Sequence, residues 1–219
     1  MNSIIRGPGD AGNSHTPVAR PTVCEDYTAM AWIRTIPWSE AGGTLKDAYD
    51  WQAKRLGEPT EYTQLGSLYP ELVMQRLQLY KCVEACPSGL TPMERQMAAL
   101  VTSVLNETPH CSSGLLLKLE SLGADRRFLD HVATDPRTTR SGDPRLDAII
   151  EYAVKLTLTP GEVSQEDVDA LRTHGLEDLD ILDLNNMVAY YCYTNRVANG
   201  LGLKTTIDSA REATLALPV

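Results

Sequence analysis

The sequence predicts an all-α fold, a helical bundle, on three observations. Proline or a Ser/Thr/Asp cap stands at the head of most apolar stretches. Glycine follows the ends of several of them. No stretch alternates apolar and polar residues with period two over a useful length. Connections between stretches are short, and no repeat recurs at solenoid spacing.

The elements follow in order. Thr44, with Asp47 three residues on, heads a helix over 45–56 that Gly57 ends. Pro70 opens a helix running to about residue 85. Thr91-Pro92-Met93-Glu94 is a capping box with proline in the first turn, followed by the apolar run 97–105. Thr108-Pro109 opens the next helix with Thr108 as N-cap, and Gly123 stops it. Asp143-Pro144 starts a helix that reaches Leu158 ahead of Pro160. Ser164 with Asp167 caps a short helix ending near His174-Gly175, and a last long helix covers 179–199 and stops at Gly200. Arg126, Arg127, Arg137, Arg140 and Arg145 read as a solvated basic loop, with an anionic substrate as the other reading. Residues 1–29 are rich in Gly, Pro, Ser, Thr and Asn and show no periodicity. They are expected to form an arm on another subunit or across a pocket mouth rather than a domain. Residues 30–204 make the domain proper, and 205–219 a C-terminal extension.

Composition narrows the function classes. The chain has 219 residues, 42% of them hydrophobic, with a single Phe, so its core rests on Leu, Val, Ala, Met and Tyr. A net charge of −9 argues against a nucleic-acid groove, which needs clustered Lys and Arg. No run approaches the length of a membrane span, and residues 1–29 lack the apolar stretch of a signal peptide. The odd set Cys24, Cys82, Cys86, Cys111 and Cys192 is not a disulfide ladder, and a reducing cytoplasm is the natural setting. The four His show no finger spacing with Cys, so no metal is expected.

The tetrapeptide Thr108-Pro109-His110-Cys111 carries the most chemical information. It sets Cys111 in the first turn of a helix, where free backbone N–H groups favour thiolate over thiol. His110 beside it supplies positive charge or shuttles a proton. The other reading of Cys111 is a small residue packed at a helix start. Cys82 and Cys86, four apart, share a helix face from which either would replace a missing resolving thiol, or else they are simply packed. Cys192 lies in Tyr190-Tyr191-Cys192-Tyr193, whose three tyrosines cannot all face one way. Tyr62 and Tyr69 add to the aromatic supply.

The stretch 90–125 resembles the core of the AhpD-like, carboxymuconolactone decarboxylase superfamily, in particular its peroxidase-related branch. Further similarity runs from Met30-Ala31-Trp32-Ile33 through Leu68-Tyr69-Pro70-Glu71-Leu72 to Asn195-Arg196-Val197-Ala198-Asn199-Gly200. The motif of that family is Glu, eleven residues, Cys-x-x-Cys, three residues, His. Here its positions fall on Gln96, Thr108, Cys111 and Leu115. The resemblance implies a homo-oligomer in which Cys111 holds the peroxide-attacking position. The resolving thiol is replaced by the Thr108 hydroxyl, and Gln96 and Leu115 replace the proton relay. The expected function is therefore cofactor-independent acid–base conversion of a small organic molecule, by isomerisation, dehydration, cyclisation or decarboxylation. Cys111, His110 and Tyr191 are the expected catalytic groups. Gln96, Thr108, Leu115, Tyr62, Cys192 and Asn195 are expected to line the substrate site. The rival expectations are a one-cysteine peroxidase using Cys111 and a non-catalytic ligand-binding or assembly protein.

Overall fold

The computed structural model describes residues 31–207. The arm expected over 1–29 and most of the C-terminal extension lie outside the described residues. Within them run helices α1 (Gly43–Leu56), α2 (Glu61–Leu65), α3 (Pro70–Glu84), α4 (Pro92–Leu105), α5 (Pro109–Ser121), α6 (Arg126–Thr134), α7 (Pro144–Leu158), α8 (Gln165–Thr173) and α9 (Asp178–Gly200). Among the described residues there is no strand.

Local capping explains most of the helix starts. The Thr91–Glu94 box closes in both directions, Glu94 N to Thr91 Oγ1 at 3.2 Å and Thr91 N to Glu94 Oε2 at 2.7 Å. Ser164 and Asp167 cap α8 in the same way. Asp143 accepts from Arg145 N at the head of α7. Several expectations need correction. Thr44 lies inside α1, whose N-cap position is Gly42. Arg126 and Arg127 belong to a helix, because Asp125 caps α6 by accepting from Phe128 N at 2.9 Å. The five-residue α2 follows Thr60, which accepts from Thr63 N, and is too short to show a period. Helix α3 ends at Glu84, so Cys86 lies beyond it rather than on a shared face with Cys82.

Helix α4 is the centre of the bundle. It packs on α5, α7 and α9 and touches α6, and every residue from Glu94 to Ser103 is buried. Its apolar side chains join Leu119, Leu129, Ile149, Ile150, Leu184, Met187 and Val188 in the main core. A second core ties α2 to the end of α9 through Tyr62, Leu65, Ala198 and Leu203. Helices α1 and α3 pair with each other, and α3 leans on α9.

Three consecutive polar residues of α4 are drawn into this interior, and each meets a partner from another element. Glu94 accepts from Arg145 Nε of α7 at 2.6 Å. Arg95 Nε reaches Asp183 of α9 at 2.7 Å, and its Nη2 donates to Cys86 O and Ser88 Oγ. Gln96 Nε2 donates to both carboxylate oxygens of Glu84 at 3.1 Å.

The α4–α5 link is a Schellman turn. Thr108 N reaches Ser103 O at 3.0 Å and Glu107 N reaches Val104 O at 2.9 Å. The residue at its left-handed position is Glu107, with φ 51°, where glycine is the usual occupant. Glu107→Gly is expected to stabilise the protein by about 1 kcal/mol, read as a higher denaturant midpoint at unchanged slope. Asp183→Ala leaves Arg95 buried without its carboxylate. It is expected to lose about 3–5 kcal/mol, whereas an Arg95→Met/Asp183→Leu pair recovers most of that. A loss below 1 kcal/mol for Asp183→Ala would mean that this ion pair does not brace the bundle.

Candidate functional site

Pro109 is the first residue of α5, which puts Cys111 in its first turn as the sequence suggests. Its thiol faces α9. The Asn195 amide beside it favours the thiolate, but burial acts more strongly and pushes the thiol from 9.0 up to about 11. This corrects the expectation of a low-pKa thiol. A helix end contributes about 0.3–1 kcal/mol at most surface sites, less than a tenfold change in acidity, and burial outweighs it. At neutral pH such a thiol is held in its neutral form.

The wall facing Cys111 comes from α9, with Tyr80 and Glu84 of α3 beside Tyr190 and Tyr191. Asn195 is fully buried and fixed on both sides, donating to Ser103 Oγ at 3.1 Å and accepting from Asn106 Nδ2 at 3.1 Å. Asn106 Nδ2 also lies 3.9 Å from Cys192 Sγ, which brings Cys192 to the same cluster. Tyr190 packs edge-on to Tyr191, ring centroids 5.8 Å apart, and tilts against Tyr80 at 5.6 Å. Burial raises the Tyr190 phenol to about 12 and the Tyr191 phenol well above its ordinary value. Tyr191 lies within electrostatic reach of both the Cys111 sulfur and the Glu84 carboxylate. Burial likewise raises the Tyr80 phenol, which faces Glu84.

Glu84, absent from the expected site, is what the sequence reading missed. The motif register assigns an acid to position 96, and the chain has Gln there. The Gln96 amide holds Glu84, brought in from the last residue of α3. The signal available in the sequence was weak: Tyr80 and Glu84 are four apart, on one face of the helix from Pro70.

His110 is buried but turned elsewhere. Its Nδ1 lies 3.1 Å from Thr205 Oγ1 and 3.7 Å from Glu61 Oε2. The Thr205 hydroxyl donates its single proton to Glu61, so Nδ1–H is the donor to Thr205 Oγ1. His110 therefore belongs to a His–Thr–Glu chain between α5, α2 and the segment after α9. Residues 205–207 fold back onto α5, with Ile207 N donating to Ser113 Oγ at 2.9 Å.

The remaining expected residues divide. Thr108 makes no capping hydrogen bond. Its hydroxyl donates to Asn106 O at 3.2 Å and accepts from Asn199 Nδ2 at 2.9 Å, so it fastens α9 to the α4–α5 turn. Leu115 is a core residue. Tyr62 lies under the Arg76 guanidinium, 4.1 Å from ring centroid to Cζ. Cys82 is exposed, and Cys86 sits beside Asp183, Ser88 and Arg95, so Cys86 belongs to the α4–α9 brace. Among the described residues no three His, Cys, Asp or Glu side chains gather as a metal site. No described helix is long and apolar enough to cross a membrane. A surface cleft of about 470 Å³ between α7 and α8 contains none of these groups. Two ion pairs, Arg140–Glu151 and Lys155–Asp167, line it.

No protein-family profile matches the sequence, and no curated protein matches it. Solved structures do. An uncharacterized peroxidase-related protein from Ralstonia eutropha JMP134, described as an alkylhydroperoxidase AhpD core, superposes with TM-score 0.75 at 20% identity. The match covers 87% of this chain and 100% of that one. The fold is AhpD-like. A peroxidase-related protein from Silicibacter sp. TM1040 matches with TM-score 0.69 at 23% identity, over 84% of this chain and 94% of that one. A cysteine-to-alanine form of the debrominase Bmp8, in complex with 2,3,4-tribromopyrrole, matches with TM-score 0.65 at 17% identity over 86% and 96%.

On this AhpD-like fold the cluster holds protonated donors, Cys111, Tyr190 and Tyr191, and one carboxylate, Glu84. The sign of its pH dependence follows. The Cys111 thiol ionises near 9 when unfolded and near 11 when folded, so its contribution to stability is complete below pH 9. That contribution is lost as pH rises toward 11, and the raised phenols act in the same direction. Alkylation of Cys111 by iodoacetamide should accelerate about tenfold per pH unit from 7 to beyond 10. A rate that levels off near pH 7 would mean an activated thiolate.

Proposed function

We propose that this protein is an enzyme that moves protons on a small, ring-sized organic molecule without a redox cycle. The observation that carries this reading is the Cys111–Tyr191–Glu84 arrangement, in which buried groups kept protonated stand near one carboxylate. Glu84 acts as general base, since it is the proton acceptor of the cluster. Tyr191 donates a hydrogen bond or a proton to the oxygen that gains charge. Cys111, held neutral and oriented by Asn195, supplies a second donor. Such acid–base assistance accounts for about 10²–10⁴ in rate. The reaction class is isomerisation, dehydration, cyclisation or decarboxylation. The tribromopyrrole bound by the debrominase of like fold supports a substrate of about one ring.

A one-cysteine peroxidase is less well supported. The thiol is almost wholly neutral at pH 7, Thr108 cannot resolve a sulfenic acid, and Cys86 is engaged in the brace on Asp183. We also propose self-association through the neighbouring helices α3 and α9. They expose Leu72, Leu79, Leu182 and Tyr193.

The test follows solvent deuterium incorporation, by proton NMR, into a panel of cyclic enols and unsaturated lactones. Wild-type protein should exchange a carbon-bound proton in at least one member. Glu84→Gln should slow this at least a hundredfold, and Tyr191→Phe at least tenfold, with both variants folded by circular dichroism. Steady-state peroxide consumption over many equivalents, abolished by Cys111→Ser, would overturn the reading in favour of the peroxidase.

A further inference from the structure

The α2–α3 corner holds a positive charge that the fold leaves unneutralised. Arg76 of α3 is 8% exposed. Its Nη1 donates to Tyr62 O at 3.4 Å and its Nη2 to Thr63 Oγ1 at 3.2 Å, both long contacts to neutral acceptors. Among the described residues no carboxylate lies within ion-pair distance of it. The other buried arginine, Arg95, has Asp183 at 2.7 Å. A guanidinium taken out of water with neutral acceptors alone is costly, and proteins pair such groups.

Beside it stands a second donor without an acceptor. Tyr62, 9% exposed, presents its ring to the guanidinium at 4.1 Å, and its enclosed Oη makes no hydrogen bond. The Thr194 hydroxyl stands near it and donates to Tyr190 O at 2.9 Å, without closing a hydrogen bond to Tyr62 Oη. Burial keeps the Tyr62 phenol protonated despite the Arg76 charge, so this O–H also seeks an acceptor. Only two enclosed side-chain atoms among the described residues lack a partner, Tyr62 Oη and Asp183 Oδ1, and Asp183 belongs to the Arg95 brace. The corner is continuous with the Cys111 cluster. Tyr190 lies within electrostatic reach of both Arg76 and Cys111, and Tyr80 and Tyr191 pack about it.

We propose that Arg76 and Tyr62 form an anion subsite that takes the carboxylate of a small aromatic acid, whose ring lies among the tyrosines. One guanidinium and one hydroxyl match the two oxygens of a carboxylate. A chain of net charge −9 disfavours polyanions. The ring placement rests on the function proposed above, whereas anion binding requires no turnover.

The test measures binding of benzoate, uncharged benzamide and inorganic phosphate by calorimetry and by shift of the melting temperature. Benzoate should bind wild-type protein and raise its melting temperature, and benzamide and phosphate should do so at least tenfold more weakly. Arg76→Met, which keeps the stem and removes the charge, should weaken benzoate at least tenfold, and Tyr62→Phe at least threefold. Should Arg76→Met not fold, Arg76→Lys, which cannot grip a carboxylate in bidentate fashion, takes its place. Equal binding of benzamide, or undiminished benzoate binding in the Arg76 and Tyr62 variants, overturns the proposal. So does a fall in sedimentation mass in Arg76→Met, which would assign Arg76 to a carboxylate of a second copy. Benzoate binding is also measured in Glu84→Gln. If it persists there while deuterium exchange proves independent of Glu84, the subsite stands and the proton-transfer reading fails. If exchange needs Glu84 and benzoate does not bind, the reverse holds.

Discussion

The bundle depends on how the central helix disposes of three adjacent polar side chains. Glu94, Arg95 and Gln96 are buried because α4 is covered on several sides at once, so none can turn to water. Each is satisfied by a different helix: Arg145 of α7, Asp183 of α9 and Glu84 of α3. Apolar contacts would allow these helices to slide and rotate around α4. Directional partners at 2.6–3.1 Å restrict that freedom, since a buried polar group left unpaired costs about 1–3 kcal/mol and more when charged.

The same constraint builds the candidate site. Gln96 is both a structural residue and the one that draws a carboxylate toward the tyrosines. An amide at that position cannot relay a proton as a carboxylic acid would, but it can hold a carboxylate in place. The carboxylate that meets this position of α4 comes from the end of α3. A carboxylate near a neutral thiol and neutral phenols suits proton transfer, where donor and acceptor must coexist at one pH.

What the sequence made legible was what local chemistry decides. Capping boxes at Thr91 and Ser164, Asp143-Pro144, Pro70 and the glycines at 57 and 123 act within a few residues, and the helices begin and end there. Helix α6 was hidden because Arg126-Arg127 in its first turn read as a basic loop, although Asp125 before them is a good cap. The position of Cys111 in the first turn of α5 was legible, but its acidity was not. That depends on which helix covers the thiol, and α9 lies some eighty residues away in the chain. Thr108 failed as a cap for a related reason. The Asn199 amide claims its hydroxyl from across the bundle. His110, adjacent to Cys111 in sequence, meets Thr205 and Glu61, since neighbours on a helix face about 100° apart.

Arg76 shows how a burial pattern carries information that composition hides. On α3 the inward positions are Val73, Leu77 and Val83, with Arg76 in the same register. A lone cation in an apolar helical stripe conflicts with the rest of the pattern. Such conflicts concentrate where a protein gives up local consistency for function. The conflict deepens in three dimensions, because the side chain beside it, that of Tyr62, adds an unmatched O–H rather than a carboxylate. The cation has only neutral acceptors and the hydroxyl closes no hydrogen bond. The Glu84 side of the cluster instead offers an acceptor in need of a proton. A molecule anchored at one end through an anion and activated at the other through an acidic C–H or O–H would satisfy both demands. It would have to lie along Tyr190, the side chain within electrostatic reach of both Arg76 and Cys111.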